Sequence, residues 1–276
     1  MLNPERLSIW SEYFRCEEMT LAQKAAEFRA AGFMTSELSD EDGARLLDEQ
    51  PSPAAAGRRI REAADAAGIR FRQGHLWLGA QITGDGYREK FAQLRPWLDM
   101  YLEAGIPRGV LHANSRRGMS YAVARERKLE VLGQLRDYLK GTELVVCLEN
   151  CPHSDHAESA GLLRTLEELD SPNFGVCLDT GHLNIAAETQ ADFIRACGGR
   201  LKALHLADNQ GETDQHMMPF GRGSVDFTEV LREADAAGYD GAINFEIPGE
   251  SGCPIEVRRM KLRYLREVSD YLLAQI

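Results

Sequence analysis

The chain contains no apolar run near the roughly 18 residues that a membrane-spanning helix needs, and residues 1–6 lack a charged start leading into an apolar stretch. A cytoplasmic protein without a membrane partner is expected. Basic residues are the minority, 32 Lys and Arg against 43 Asp and Glu for a net charge of −11. That balance argues against a broad electrostatic footprint for nucleic acid or an anionic lipid surface. Cysteine is sparse as well. Of the six, Cys147 and Cys177 sit inside apolar runs and no dense spacing links the rest, so a disulfide framework is not expected and most read as small buried hydrophobes. No glycine-rich phosphate turn follows the first apolar run, where Ser11-Glu12-Tyr13-Phe14 stands instead, which disfavours a doubly wound nucleotide-binding sheet. Low-complexity segments and linkers are also missing.

What is present is a rhythm. Short apolar runs alternate with longer segments of helical period: 7–10 then 21–31, 33–38 then 53–67, 69–75 then 87–104, 109–112 then 121–139. The second half continues with 144–149 then 159–169, 174–179 then 191–196, 201–205 then 227–237, and 242–246 then 255–273. Gly68, Gly105 and Gly238 are placed as helix stops. Eight βα units in 276 residues match a single (β/α)₈ TIM-barrel domain of roughly 250 residues, and the chain is expected to form one such domain over 1–276. The longest connection, 207–226, is a candidate for function.

Four of the strands finish on a potential metal ligand: Val145-Val146-Cys147-Leu148-Glu149, then Asp179, His205 and Glu246 at the ends of their own runs. Steps of 30, 26 and 41 residues (149 to 179, 179 to 205, 205 to 246) each suit one trip around a βα unit, so the four converge at the C-terminal mouth of a barrel. Counting back in twos from each ligand reaches Cys147 and Val145, Cys177 and Gly175, Ala203 and Leu201, Asn244 and Ala242, which should share the ligand's inward direction. The alternate positions, Val146, Leu148, Val176, Leu178, Ile243 and Phe245, are bulky and apolar, as outward faces packed under helices require. Three carboxylates and one imidazole suit one divalent metal, Mn²⁺, Mg²⁺, Co²⁺ or Zn²⁺.

Further donors share that mouth: His75 and His112 end strands three and four, His182 follows Asp179 by three residues, and Asp214 and His216 lie in the long loop. They are candidates for substrate binding or additional metal, and none of the histidines falls in an expected helix. Arg222, between Gly221 and Gly223, could reach a substrate phosphate or hydroxyl. Cys151-Pro-His153-Ser-Asp-His156 has donor spacing but reads as the turn into the next helix, with Ser154 or Asp155 as cap.

These motifs, together with Leu148-Glu149-Asn150, His205-Leu-Ala-Asp208 and Phe245-Glu246-Ile-Pro248, resemble the xylose isomerase-like barrel superfamily, over nearly the whole chain. The resemblance implies a sugar or sugar-phosphate isomerase or epimerase, with Glu149 and Glu246 as catalytic proton-transfer groups as well as ligands, and Asp179 and His205 completing the metal site. A metal gripping adjacent carbonyl and hydroxyl oxygens acidifies the intervening CH bond and stabilises an enediolate. The superfamily also contains apurinic endonucleases with three zinc ions, whose ligand set resembles His75, His112, Glu149, Asp179, His182, His205, Asp214, His216 and Glu246, so a trinuclear-zinc phosphodiesterase is the alternative. A dehydratase, an aldolase or a non-catalytic sugar-binding barrel is a second alternative. The expected partner is a small-molecule sugar or sugar phosphate, nucleic acid is disfavoured, and a homo-oligomer is compatible with everything above.

Overall fold

A computed structural model describes residues 2–15, 18–115, 118–249 and 252–276; Met1 and Cys16 therefore lie outside the described residues. Eight parallel strands form one sheet in the order β7-β6-β5-β4-β3-β2-β1-β8. They are β1 Leu7–Trp10, β2 Thr35–Leu38, β3 Arg70–His75, β4 Arg108–Leu111, β5 Val145–Glu149, β6 Phe174–Asp179, β7 Leu201–His205 and β8 Ile243–Phe245. The barrel closes just past β7, where Leu206 N donates to Asn244 O at 2.8 Å and Glu246 N donates to Leu206 O at 3.1 Å. This is the (β/α)₈ TIM barrel that the alternation of apolar runs foretold.

The helices are α1 Leu21–Ala30, α2 Asp40–Glu49, α3 Pro53–Ala67, α4 Lys90–Ala104, α5 Tyr121–Leu139, α6 Ser159–Leu169, α7 Thr180–Asn184, α8 Gln190–Cys197, α9 Phe227–Ala236 and α10 Ile255–Leu273. Their starts are chemically marked: Thr20 and Gln23 form a reciprocal capping box, and Ser39 and Ser52 cap α2 and α3, the latter with Pro53 in its first turn. Gly68 and Gly105 end α3 and α4 at φ 68° and 73°, the left-handed conformation that glycine adopts without a Cβ clash. Two short helices escape the periodicity: α2, inserted between β2 and α3, and α7, which follows β6 directly and carries His182, contrary to the expectation that no histidine is helical. Among the described residues no helix is long and apolar enough to cross a membrane.

The inward positions are small. Val110, Cys147, Cys177 and Ala203 make an interior cluster with Val145 against it, separate from the large outer core that holds Val146, Leu148, Val176, Leu178, Ile243 and Phe245. Leu201 breaks the count by twos. The register pairs Val176 with Leu201 but Cys177 with Ala203, so Lys202 is an extra residue and Leu201 joins the outer core. Small side chains thus line the barrel interior just below the strand ends.

Candidate metal centre

The tetrad assembles at the mouth. Glu149 and Asp179 end β5 and β6, His205 ends β7, and Glu246 lies one residue past β8. One ligand atom from each falls within 4.8 Å of the others. Asp179 and His205 are fully buried, Glu149 is 1% exposed and Glu246 9%. Asp179 is fixed by its neighbours: its backbone N donates to Asn150 Oδ1 at 2.7 Å and its backbone O accepts from Asn150 Nδ2 at 2.9 Å, while its side-chain Oδ1 accepts from His182 N at 2.6 Å.

The fit to a cation rests on atoms that protein groups leave unsatisfied. Glu149 Oε2, Asp179 Oδ2 and His205 Nδ1 are all buried without a hydrogen-bond partner, an arrangement that costs roughly 1–3 kcal/mol per neutral group and more for a charged one. Three imidazole nitrogens crowd Glu149 Oε2: His112 Nε2 at 3.1 Å, His205 Nδ1 at 3.3 Å and His75 Nε2 at 3.6 Å. Glu246 Oε2 is also 3.3 Å from His205 Nδ1. Two carboxylate oxygens facing one imidazole nitrogen suit a divalent ion between them.

The protonation pattern agrees. Burial alone would depress the buried imidazoles, yet the facing carboxylates raise His75 to about 9 and His216 to about 10, with His182 and His205 well above their ordinary value. Glu246 is brought down to about 2, because the His205 and His216 charges outweigh the opposing effect of burial. Burial, reinforced by the Glu149 and Glu246 charges, lifts Asp179 to about 7 despite His182. Protons on the rings thus act as counter-charges, a role that a bound dication takes over by displacing them.

Above the tetrad lies a cavity of about 220 Å³, lined by His75, His112, Glu149, His182, Asp214, His216 and Glu246 together with Trp10, Arg15, Glu41, Leu78 and Pro248. A larger groove of about 580 Å³ at α1 to α3 contains none of the donor clusters of the described residues. The donors at the mouth fall into further groups, His75 with His112 and Glu149, and His182 with Asp214 and His216. Asp214 Oδ2 is 3.2 Å from His182 Nε2 and 3.0 Å from His216 Nε2. His216 reaches it from a backbone φ of 46°, a left-handed conformation costly for a residue with a Cβ and concentrated at functional loops.

Arg222 lies on the same long loop as Asp214 and His216. It is exposed and does not line the cavity, whereas Arg15 does. The neighbouring glycine instead makes room for a carboxylate. A Cβ on Gly223 would lie 2.0 Å from the Asp208 side chain, which accepts from Asn209 N and Val225 N at 2.9 and 3.0 Å and so shapes the long loop. Glu37 on β2 is a site residue that the strand-end pattern does not single out. It is fully buried and its Oε1 lies 3.0 Å from His205 Nε2. The available signal is a carboxylate inside a buried strand, which is tolerated only where partners await it.

The segment Cys151 to His156 forms the expected turn but not the expected cap, since Glu158 occupies the N-cap of α6 and makes no side-chain cap bond. Asp155 instead ties this turn to the loop before α5 and to α5 itself, accepting from Ser115 N at 2.9 Å and from Lys128 Nζ at 2.7 Å. Lys128 Nζ also lies 2.7 Å from His156 Nε2, with His156 fully buried. Burial and the adjacent Lys128 charge push His156 down to about 3. Unfolded chain therefore binds a proton near pH 6.5 that the folded state refuses, and this histidine lowers stability as pH falls from 6.5 towards 3. The unfolding free-energy gap between wild type and His156→Gln is expected to narrow by about 2 kcal/mol between pH 7.5 and 5.0, at about 1.36 kcal/mol per pH unit below 6.5. Urea denaturation at the two pH values measures it, and a constant gap would contradict a neutral buried His156.

Comparison with known proteins agrees with this architecture. Residues 25–268 match the family model described as xylose isomerase-like TIM barrel. A ketose 3-epimerase of Arthrobacter globiformis is 34% identical over 98 residues, 36% of this chain and 32% of that protein. An inosose dehydratase of Geobacillus thermodenitrificans is 21% identical over 281 residues, 91% of this chain and 90% of that protein. The chain spans less than half the length of the first curated relatives it matches. A solved D-tagatose 3-epimerase-like protein shares the fold with a TM-score of 0.79 at 20% identity, over 97% of both chains. With the family model matched over most of its length and the strand-end donors gathered at one mouth, the chain belongs to the xylose isomerase-like TIM barrel family.

Proposed function

We propose that the protein is a divalent-metal-dependent sugar or sugar-phosphate epimerase or isomerase. The observation that carries this reading is the pair Glu149 and Glu246, two carboxylates from different βα units, each 3.3 Å from His205 Nδ1 and both lining a cavity of about 220 Å³. Glu149, Asp179, His205 and Glu246 would hold the ion, which when bound would polarise adjacent carbonyl and hydroxyl oxygens and stabilise an enediolate. Glu246 removes the proton from the substrate carbon. A second proton, delivered to the opposite face by Glu149 protonated in the substrate complex, gives the epimer and leaves Glu246 holding the first. Return of the first proton by Glu246 to the neighbouring carbon, with a hydroxyl proton passing to the former carbonyl oxygen, gives the isomer. His182 and His216, steadied by Asp214, would bind substrate oxygens, and His75 and His112 flank Glu149. Trp10, Leu78 and Pro248 supply an apolar wall that limits water near the reacting carbon. Five described cysteines, all unpaired, suit work in the reducing cytoplasm.

The test is a panel of ketoses, ketose phosphates and small hydroxycarbonyls with Mn²⁺ in deuterated water, followed by NMR. Deuterium is expected at a carbon beside the carbonyl, together with an epimer or isomer. A panel in which no compound exchanges would sink the proposal. One observation favours a second reading: beside the tetrad, His75 and His112 form a donor group with Glu149, and His182, Asp214 and His216 form another, so the mouth offers donors for more than one ion, as a trinuclear-zinc phosphodiesterase needs. About three zinc ions per chain and cleavage of abasic-site DNA would establish that reading over the first. A dehydratase, like the inosose enzyme to which the chain is similar, would begin with the same proton removal but lose a hydroxyl as water.

A further inference from the structure

Four of the five imidazoles at the mouth have one ring nitrogen tied back to the protein. In three of them it is Nδ1, bonded to a backbone carbonyl: His75 to Leu76 O at 2.6 Å, His182 to Asn150 O at 2.9 Å and His216 to Glu246 O at 2.7 Å. Those rings turn Nε2 towards the cavity carboxylates. His205 is reversed. Its Nε2 faces Glu37 Oε1 at 3.0 Å, and its Nδ1 faces Glu149 and Glu246.

We propose that Glu37 is a positioning residue that keeps the proton of His205 on Nε2 and thereby presents Nδ1 as the metal-binding atom, an inference that rests on the metal-centre reading of the tetrad. The carboxylate acts as an acceptor throughout this cluster, so the ring nitrogen facing its Oε1 supplies the hydrogen. The other oxygen of Glu37 is already occupied. Its Oε2 accepts from Gln73 Nε2 at 2.5 Å and from Asn244 Nδ2, whose Oδ1 accepts from Ser8 Oγ at 2.8 Å. Gln73 Nε2 is further anchored to Leu204 O at 3.2 Å. The strand register brings these partners together, Glu37 beside Gln73 and Ser8 beside Asn244, and all four side chains are fully buried. With both oxygens engaged the carboxylate has no free rotation, so the ring it faces has one orientation. A carboxylate behind a ligating imidazole also raises its basicity towards the metal.

Nitrogen-15 NMR of histidine-labelled protein, metal-free and loaded with Zn²⁺, reads the inference directly. His205 Nε2 is expected to carry hydrogen in both states, with the zinc-induced shift on Nδ1. Calorimetry with Mn²⁺ and Zn²⁺ gives a second readout: Glu37→Gln, of equal size but uncharged, is expected to bind 10–100-fold more weakly than wild type. A bare Nε2 in the wild type, or wild-type affinity in folded Glu37→Gln, overturns the role of Glu37. Should that variant fail to fold, the wild-type spectra decide. Wild type that binds neither ion defeats the metal-centre reading instead, and the metal-free spectrum then still judges the bond to Glu37.

Discussion

Glu246→Gln is expected to lower turnover by about 10²–10⁴-fold, the usual contribution of a positioned acid or base, and to stop solvent-deuterium incorporation beside the substrate carbonyl. The glutamine keeps the shape of a side chain that is 9% exposed and lines the cavity, but it cannot take a proton. Glu246 Oε2 lies 3.3 Å from His205 Nδ1 and 3.8 Å from His216 Nδ1, and positive charge there, on the rings without metal or on the ion when bound, makes it a weak base. A base so stabilised works only on a carbon acid that the ion acidifies further than it weakens the glutamate. Loss of charge also weakens ion binding, so the comparison belongs at saturating Mn²⁺, with occupancy measured. Undiminished exchange in a fully loaded variant would remove Glu246 as the base.

Glu149→Ala should have the largest effect on metal content. Glu149 belongs to three of the donor groups, shared with His75 and His112, with Cys177 and His205, and with the other members of the tetrad. Its removal therefore takes a ligand from every group except His182, Asp214 and His216. Ion affinity is expected to fall by more than the 10–100-fold that loss of an outer partner causes. Asp214→Asn, by contrast, should leave binding by the tetrad close to wild type. Elemental analysis and calorimetry on the two variants separate one ion from several. A single-ion enzyme loses its metal in Glu149→Ala alone, whereas a site for three loses part of its content in Asp214→Asn as well. Retention of wild-type content by Glu149→Ala would exclude the tetrad as the primary site.

The two glutamates are visible in the sequence for a physical reason. Glu149 and Glu246 each close a β-branched or apolar run, and the two-residue period of a strand gives their direction. The same count turns Cys147, Cys177 and Ala203 inward, as the structure has them, and fails at Leu201, because the extra residue between β6 and β7 pairings exchanges the faces. Helix α7 is not legible since five residues are too few to show a period, and α2 is not because its acidic start resembles a loop. Glu37 is inconspicuous inside an otherwise ordinary strand. Its partner His205 is 168 residues away, and no local pattern announces a hydrogen bond of that span.

From the sequence alone come the barrel, the tetrad and the concentration of histidines at one mouth, since strand count, strand period and the spacing of strand ends are local or additive properties. Tertiary structure alone decided which nitrogen of His75, His182, His205 and His216 is tied back to the protein, that Asp155 binds both Ser115 and Lys128 of α5, and that Arg15 rather than Arg222 lines the pocket. Those outcomes depend on where a ring or a loop finds its hydrogen-bond partner. That partner comes from another strand or helix, and burial makes the pairing obligatory without the chain recording it nearby.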